Sequence, residues 1–237
     1  MMKIIPAKTP DFVKTMFPSF IWNIDTKNKV LYLTFDDGPT PDITDWVIST
    51  LQEYNAKATF FCIGKNITKH PKLFQQIIAN GHSIGNHTYN HLKGWKTKTK
   101  AYIESVEKTQ QLIDTYDQNH NAENIDRNSN QASRSNVRLF RPPYGKFKPK
   151  QSNKLQALGY QIILWDVLSY DWDASVSQKT CLKNITSSAK EGSIIVFHDS
   201  VKASRNLKYV LPKVLKYYSQ RGFRFKNLNT SQNTITL

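Results

Sequence analysis

VLYLTFDDGP, residues Val30 to Pro39, opens with six uncharged residues that are β-branched, aromatic or aliphatic. A short continuous run of this kind suits a strand buried on both faces, as in a parallel sheet. It stops at two adjacent carboxylates, Asp36 and Asp37, followed by the turn pair Gly38-Pro39. Neighbouring side chains at a strand end point to opposite sides, so the two acids can occupy different environments and do different work. One could hold a cation while the other moves a proton. Asp-Gly is also common turn chemistry, and the stretch by itself fits an ordinary strand exit equally well.

Outward from this stretch the chain alternates strand and helix. Ile43, Val47, Ile48 and Leu51 recur at helical spacing behind Thr40-Pro41, which reads as an N-cap and first helical position. Ala56–Ile63 reads as a second strand, Pro71–Asn80 as a helix stopped by Gly81, and His82–Gly85 as a third strand. A long amphipathic helix follows over Thr99–Tyr116, then a polar segment, Gln118–Asn136, expected to be a surface insertion. Further strands are expected at Val137–Phe140, Tyr160–Val167, Ser193–Phe197 and Phe223–Phe225, with helices around Leu155 and Leu158 and over Ser175–Lys190 and Asn206–Ser219. Repeated βα units imply parallel strands with crossover helices of one hand. Seven such units favour a distorted, incomplete (β/α)7 barrel over a small open sheet. Its domain would span residues 30–228, with an N-terminal extension (1–29) packed on it and a short tail (229–237).

The 237 residues suit one large domain, and 39% apolar content supports a sizeable core. No run approaches the ~18 apolar residues of a membrane span. The N-terminus, with Lys3, Lys8, Asp11, Lys14 and two prolines, is a poor secretory signal, which points to the cytoplasm or to envelope association. Net charge is +15, yet no nucleic-acid-binding signature accompanies it, so solvated surface is the expectation and nucleic acid is not an expected partner. Cys62 and Cys181 have no metal-ligand spacing and read as a small core residue and a helix residue.

The polar clusters all fall at C-terminal ends of expected strands, and a barrel gathers those ends on one face, where active sites are built. His87 and His91 are four apart, so a helical turn would put both imidazoles on one side. With one carboxylate of Asp36-Asp37 they would form a two-histidine, one-acid set with open positions, suited to a catalytic divalent metal, zinc foremost. The same spacing also describes two surface histidines. In Arg141-Pro142-Pro143-Tyr144 two prolines remove donors and leave the Tyr144 N–H conspicuous. His198, ending an apolar strand before Asp199, could be a general acid or a strand cap.

Five motifs occur in order: TFDDGP at Thr34–Pro39, HTYNH at His87–His91, RPPY at Arg141–Tyr144, Asp171-Trp172, and IVFHD at Ile195–Asp199. Together they resemble the polysaccharide deacetylase (NodB-homology) family, carbohydrate esterase family four, from about Val30 to Leu228. The resemblance implies a metal-dependent hydrolase that removes N-acetyl or O-acetyl groups from an acetylated glycan. Asp37, His87 and His91 would hold the metal (zinc, or else cobalt, nickel or manganese). Asp36 would be the general base, oriented and kept ionised by Arg141. The Tyr144 N–H would help stabilise the oxyanion, Trp172 would wall the acetyl pocket, and His198 would protonate the leaving atom.

Two positions depart from the pattern. The family has an acid three residues before the Asp-Trp acid, thought to tune the histidine; here that position is Leu168, so Asp166, Asp171 or Asp199 would have to substitute. Val196 stands where leucine is usual, a mild change. Peptidoglycan, chitin oligomers, acetylxylan and exopolysaccharide precursors all fall within the family's substrates. The positive charge favours an anionic cell-wall or envelope glycan. A glycan-binding pseudoenzyme of the same fold is the alternative reading, and a monomer is expected.

Overall fold

The computed structural model of the chain describes residues 6–123 and 137–228, without the side chains of 117–123. A short helix α1 (Asp11–Met16) precedes β1 (Val30–Asp36), α2 (Thr44–Glu53), β2 (Thr59–Cys62), α3 (Gly64–Lys69), α4 (Pro71–Ala79) and β3 (Ser83–Asn86). Then come α5 (Thr99–Glu123), β4 (Arg138–Phe140), α6 (Pro149–Ala157), β5 (Tyr160–Ile162), β6 (Val167–Leu168), α7 (Gln178–Thr186), β7 (Ile194–His198), α8 (Ser204–Ser219) and β8 (Arg224–Phe225).

Seven strands lie in the order β5-β4-β3-β2-β1-β7-β6, all parallel, with β8 pairing only the start of β1. The sheet curls into a half-barrel with helices outside, the incomplete (β/α)7 barrel expected from the sequence. β1 is its centre, and every residue of that strand is buried. The pleat explains the composition. Phe35 faces the helices and stacks between its register partners Phe60 and Phe197, at centroid distances of 5.0 and 5.6 Å. Thr34 and Asp36, on the other side of the pleat, face the barrel interior, where the Thr34 hydroxyl donates to the Ile195 carbonyl at 2.8 Å.

The expected strand Tyr160–Val167 is two strands, β5 and β6, at opposite edges of the sheet. Residues 163–166 carry the chain across the opening that makes the barrel incomplete. The N-terminal segment closes the same opening. Ile21 donates to Ile162 O and accepts from the Leu164 N–H, while Ile24 donates to Gly192 O. Lys8 and Lys14 both reach the buried Asp166 carboxylate at 2.6 Å.

Other boundaries also differ. α2 begins at Thr44, because Thr40-Pro41 leads a turn and the Thr44 hydroxyl accepts from the Thr40 N–H. α5 runs on to Glu123, past the expected end at Tyr116. The remainder of the expected insertion (124–136) and the C-terminal tail (229–237) lie outside the described residues. Both cysteines are buried and free, Cys181 within α7. No helix among the described residues is long and apolar enough to cross a membrane.

Candidate active site

At the end of β1 the Asp36 carboxylate points into the barrel with 4% of the residue exposed. Arg141, fully buried just beyond β4, donates to it from Nη1 at 2.7 Å. Three more of its five donors are engaged by Thr34 Oγ1 (2.7 Å), Leu164 O (2.9 Å) and Ile163 O (3.3 Å), and its guanidinium lies 4.1 Å from the Phe61 ring centroid. A guanidinium held by this many fixed partners cannot swing away. Burial alone would raise the Asp36 pKa, but the charge of Arg141, helped by His87 and His198, holds it below the usual carboxylate value.

The next residue turns away. Asp37 has φ of 81° and its carbonyl accepts from the Asn66 side-chain amide at 2.7 Å. Its Oδ1 lies 3.2 Å from His91 Nε2 and 3.7 Å from His87 Nε2. Asp37, His87 and His91 each offer one ligand atom, all within 4.8 Å of one another. His87 Nδ1 sits 2.7 Å from the Arg141 carbonyl. A carbonyl only accepts, so Nδ1 carries the proton and the Nε2 lone pair is left toward Asp37. Burial brings the His87 pKa down to about 4 and lowers that of His91, which keeps both rings in the neutral form a cation requires. Asp37 Oδ1 is buried and takes no hydrogen bond among the described residues, although two imidazole nitrogens face it. An orphaned carboxylate oxygen between two such rings fits a divalent cation.

The histidine pair is not on a helical turn. β3 ends at Asn86, and the chain then folds through positive φ at Thr88 (63°) and His91 (54°). Asn86 Oδ1 accepts the Thr88 N–H and Thr88 Oγ1 accepts the Leu92 N–H, both at 3.0 Å. The carbonyls of Thr88 and Tyr89 take the first two N–H groups of α3. A pinned loop therefore does what the helix was expected to do, bringing the ring centroids to 5.1 Å.

Opposite stands His198, the register partner of Asp36 on β7. Asp171 grips it twice: Oδ1 lies 2.9 Å from Nδ1, and Oδ2 accepts its backbone N–H at 2.8 Å. Burial would lower the His198 pKa, but the Asp171 carboxylate overrides it and raises the value to about 9. Trp172 packs its ring 4.7 Å from that of His198 and stacks on Tyr170 at 4.8 Å. Leu168 is buried in β6 beside Val196 and takes no part. Of the three acids that could stand in for it, Asp171 alone among the described residues bonds His198. Asp166 bonds Lys8, Lys14 and Ser193, and Asp199 accepts from the Gly38 N–H (3.1 Å) and the Thr44 hydroxyl (2.5 Å).

Tyr144 follows the two prolines with φ of 60°, and its N–H finds no acceptor among the described residues. Its ring lies 4.6 Å from that of His91 and is half exposed. Sequence reasoning did not find Asn66, which has no motif around it, or the Thr44–Asp199–Gly38 link. Gly38 carried the one available signal, since a Cβ there would collide with the Asp199 carboxylate.

Residues 23–163 match the sequence model of a family described as Polysaccharide deacetylase. A Bacillus cereus peptidoglycan-N-acetylglucosamine deacetylase is 29% identical over 86% of this chain and 88% of its own length. A chitooligosaccharide deacetylase from Azorhizobium caulinodans is 32% identical over 84% of this chain and 92% of its own. The crystal structure of a peptidoglycan N-acetylglucosamine deacetylase in complex with 4-naphthalen-1-yl-N-oxidanyl-benzamide superposes with a TM-score of 0.78 at 28% identity, covering 93% of this chain and 95% of that one. With the five motifs in order and the barrel around them, the chain belongs to the polysaccharide deacetylase family.

Proposed function

We propose that this protein is a metal-dependent hydrolase that removes acetyl groups, N-acetyl foremost, from a polysaccharide or amino-sugar oligomer such as a peptidoglycan or chitooligosaccharide strand. The observation that carries the reading is the flanking of the Asp37–His87–His91 cluster by two oppositely tuned groups, Asp36 on Arg141 and His198 on Asp171. Asp37, His87 and His91 would hold the divalent cation, zinc foremost, which when bound polarises an acyl carbonyl and acidifies water.

The chain's own groups supply the rest. Asp36, ionised through Arg141, takes the proton of the water that attacks the acetyl carbon. The free N–H of Tyr144 donates to the oxygen that becomes negative, as a preorganised donor in a water-poor site. His198, protonated through Asp171, gives its proton to the departing nitrogen, which cannot leave as an anion. Trp172 closes the wall beside His198 against the acetyl methyl.

The test is acetate release from acetylated chitooligosaccharides, peptidoglycan fragments and acetylxylan, using protein stripped of metal and then restored with zinc, cobalt, nickel or manganese. Activity on an N-acetylated strand that returns only with metal is expected. Undiminished activity in stripped protein, or none with any metal on any substrate, overturns the reading.

A further inference from the structure

Beside the candidate site lies an aromatic shelf that the chemistry above does not use. Trp95 meets the Tyr144 ring edge-on at 5.4 Å, and Tyr144 in turn lies against His91, so the shelf begins one ring away from the candidate metal ligands. Both residues reach solvent: Trp95 is 37% and Tyr144 48% exposed.

The shelf is held in place from below. Trp95 sits in a short turn of 3₁₀ helix (Gly94–Lys96), and the fully buried Gln151 donates its amide to the carbonyls of Gly94 (3.0 Å) and Thr97 (3.2 Å). Lys148 Nζ adds a bond to Thr97 O at 2.8 Å. Gly94 has no room for a Cβ against the backbone of residues 146–147, so the two loops pack directly on each other. Exposed aromatic rings on a fixed support are the surfaces on which the apolar faces of sugar rings stack, at little entropic cost.

Charge singles out which sugar. Lys93 Nζ stands 5.6 Å from the centroid of Tyr144 and Lys146 Nζ 6.0 Å from that of Trp95, one cation at each ring, and both side chains are exposed. From Tyr89 to Ile103 and from Leu139 to Trp165 the sequence holds eight lysines and no carboxylate. A neutral glycan finds only hydrogen-bond donors in Lys93 and Lys146, whereas a carboxylate also gains the attraction of their two charges.

We infer that the Trp95–Tyr144 shelf binds the sugar next to the one being deacetylated, and that Lys93 and Lys146 select a sugar bearing a carboxylate. This rests on the deacetylase reading of the neighbouring site. It commits the substrate to an acidic amino-sugar strand in preference to a neutral one.

The experiment measures binding by tryptophan fluorescence and calorimetry with Asp36→Asn protein, and acetate release with wild-type protein. Two strands of equal length are used, one with a free carboxylate on alternate sugars and one with that carboxylate methyl-esterified. The free acid is expected to bind roughly tenfold tighter, with the preference shrinking as salt rises. In the Lys93→Gln, Lys146→Gln double variant the acid-over-ester preference should collapse towards unity, and Trp95→Ala should weaken both strands. Equal binding of acid and ester by protein with both lysines, or a preference that survives their loss, overturns the inference. Acid preference without acetate release from either strand would instead overturn the deacetylase reading and leave the shelf standing.

Discussion

Asp36 and His198 are register partners on adjacent strands, yet their neighbours drive their protons in opposite directions. Arg141 keeps the first below its ordinary pKa, and Asp171 raises the second to about 9. Activity that needs ionised Asp36 and protonated His198 should therefore hold through neutral pH and fall as pH rises through about 9. Asp171→Asn removes the charge that opposes burial, so the falling limb should move to lower pH and kcat/KM near neutrality should drop on the order of a hundredfold. A pH–rate profile checks both, and an unmoved limb would mean that another group donates the proton. The identities of these residues could be read from five short motifs. The partner of His198 could not, because Asp166, Asp171 and Asp199 all stand in or beside the last two motifs and only the fold tells them apart.

At the scale of elements, the loop from β1 to α2 is secured by Asp199. Its carboxylate takes the Gly38 N–H and the Thr44 hydroxyl, and its backbone N–H donates to Asp36 O. Gly38→Ala drives a methyl group into that carboxylate, so it should cost roughly 1–3 kcal/mol through overpacking and weaken metal binding by shifting Asp37. Thermal melting together with a zinc titration reads the two effects, and an unchanged affinity would separate the loop from the metal site. The elements themselves follow largely from periodicity: apolar runs locate β1, β2 and β7, and 3.6-residue spacing locates α4 and α8. The four-residue spacing in HTYNH reads as helical, because spacing alone cannot distinguish a helical turn from a loop stabilised by Asn86 and by the N-terminus of α3. The helix α3 was missed because GKNITK carries no amphipathic pattern.

Across the whole molecule, the barrel is open between β5 and β6, and the N-terminal segment occupies the opening. Parallel βα alternation makes the incomplete barrel legible, but Tyr160–Val167 reads as one strand because only Gln161 and Asp166 interrupt its apolar run. Asp166 fastens the closure. Burial would raise its pKa, but bonds from Lys14, Lys8 and Ser193 hold it below the usual value. A lowered pKa means the folded state prefers the ionised form, so this contribution is present above about pH 4 and lost as pH falls below it. Lys8→Met with Lys14→Met leaves a buried carboxylate with Ser193 alone, and should cost up to about 3 kcal/mol at pH 7, since one lysine is partly exposed. Melting curves at pH 7 and pH 3.5 test this. The loss should shrink at the lower pH, and an equal loss at both would assign it to packing.

The most direct test of the account is Asp36→Asn, assayed for acetate release on an N-acetylated oligomer beside a metal analysis of the same sample. The account predicts turnover lost by on the order of a thousandfold or more with one divalent ion still bound per chain, because the base is removed and the three ligands remain. A variant that turns over like the wild type would contradict it.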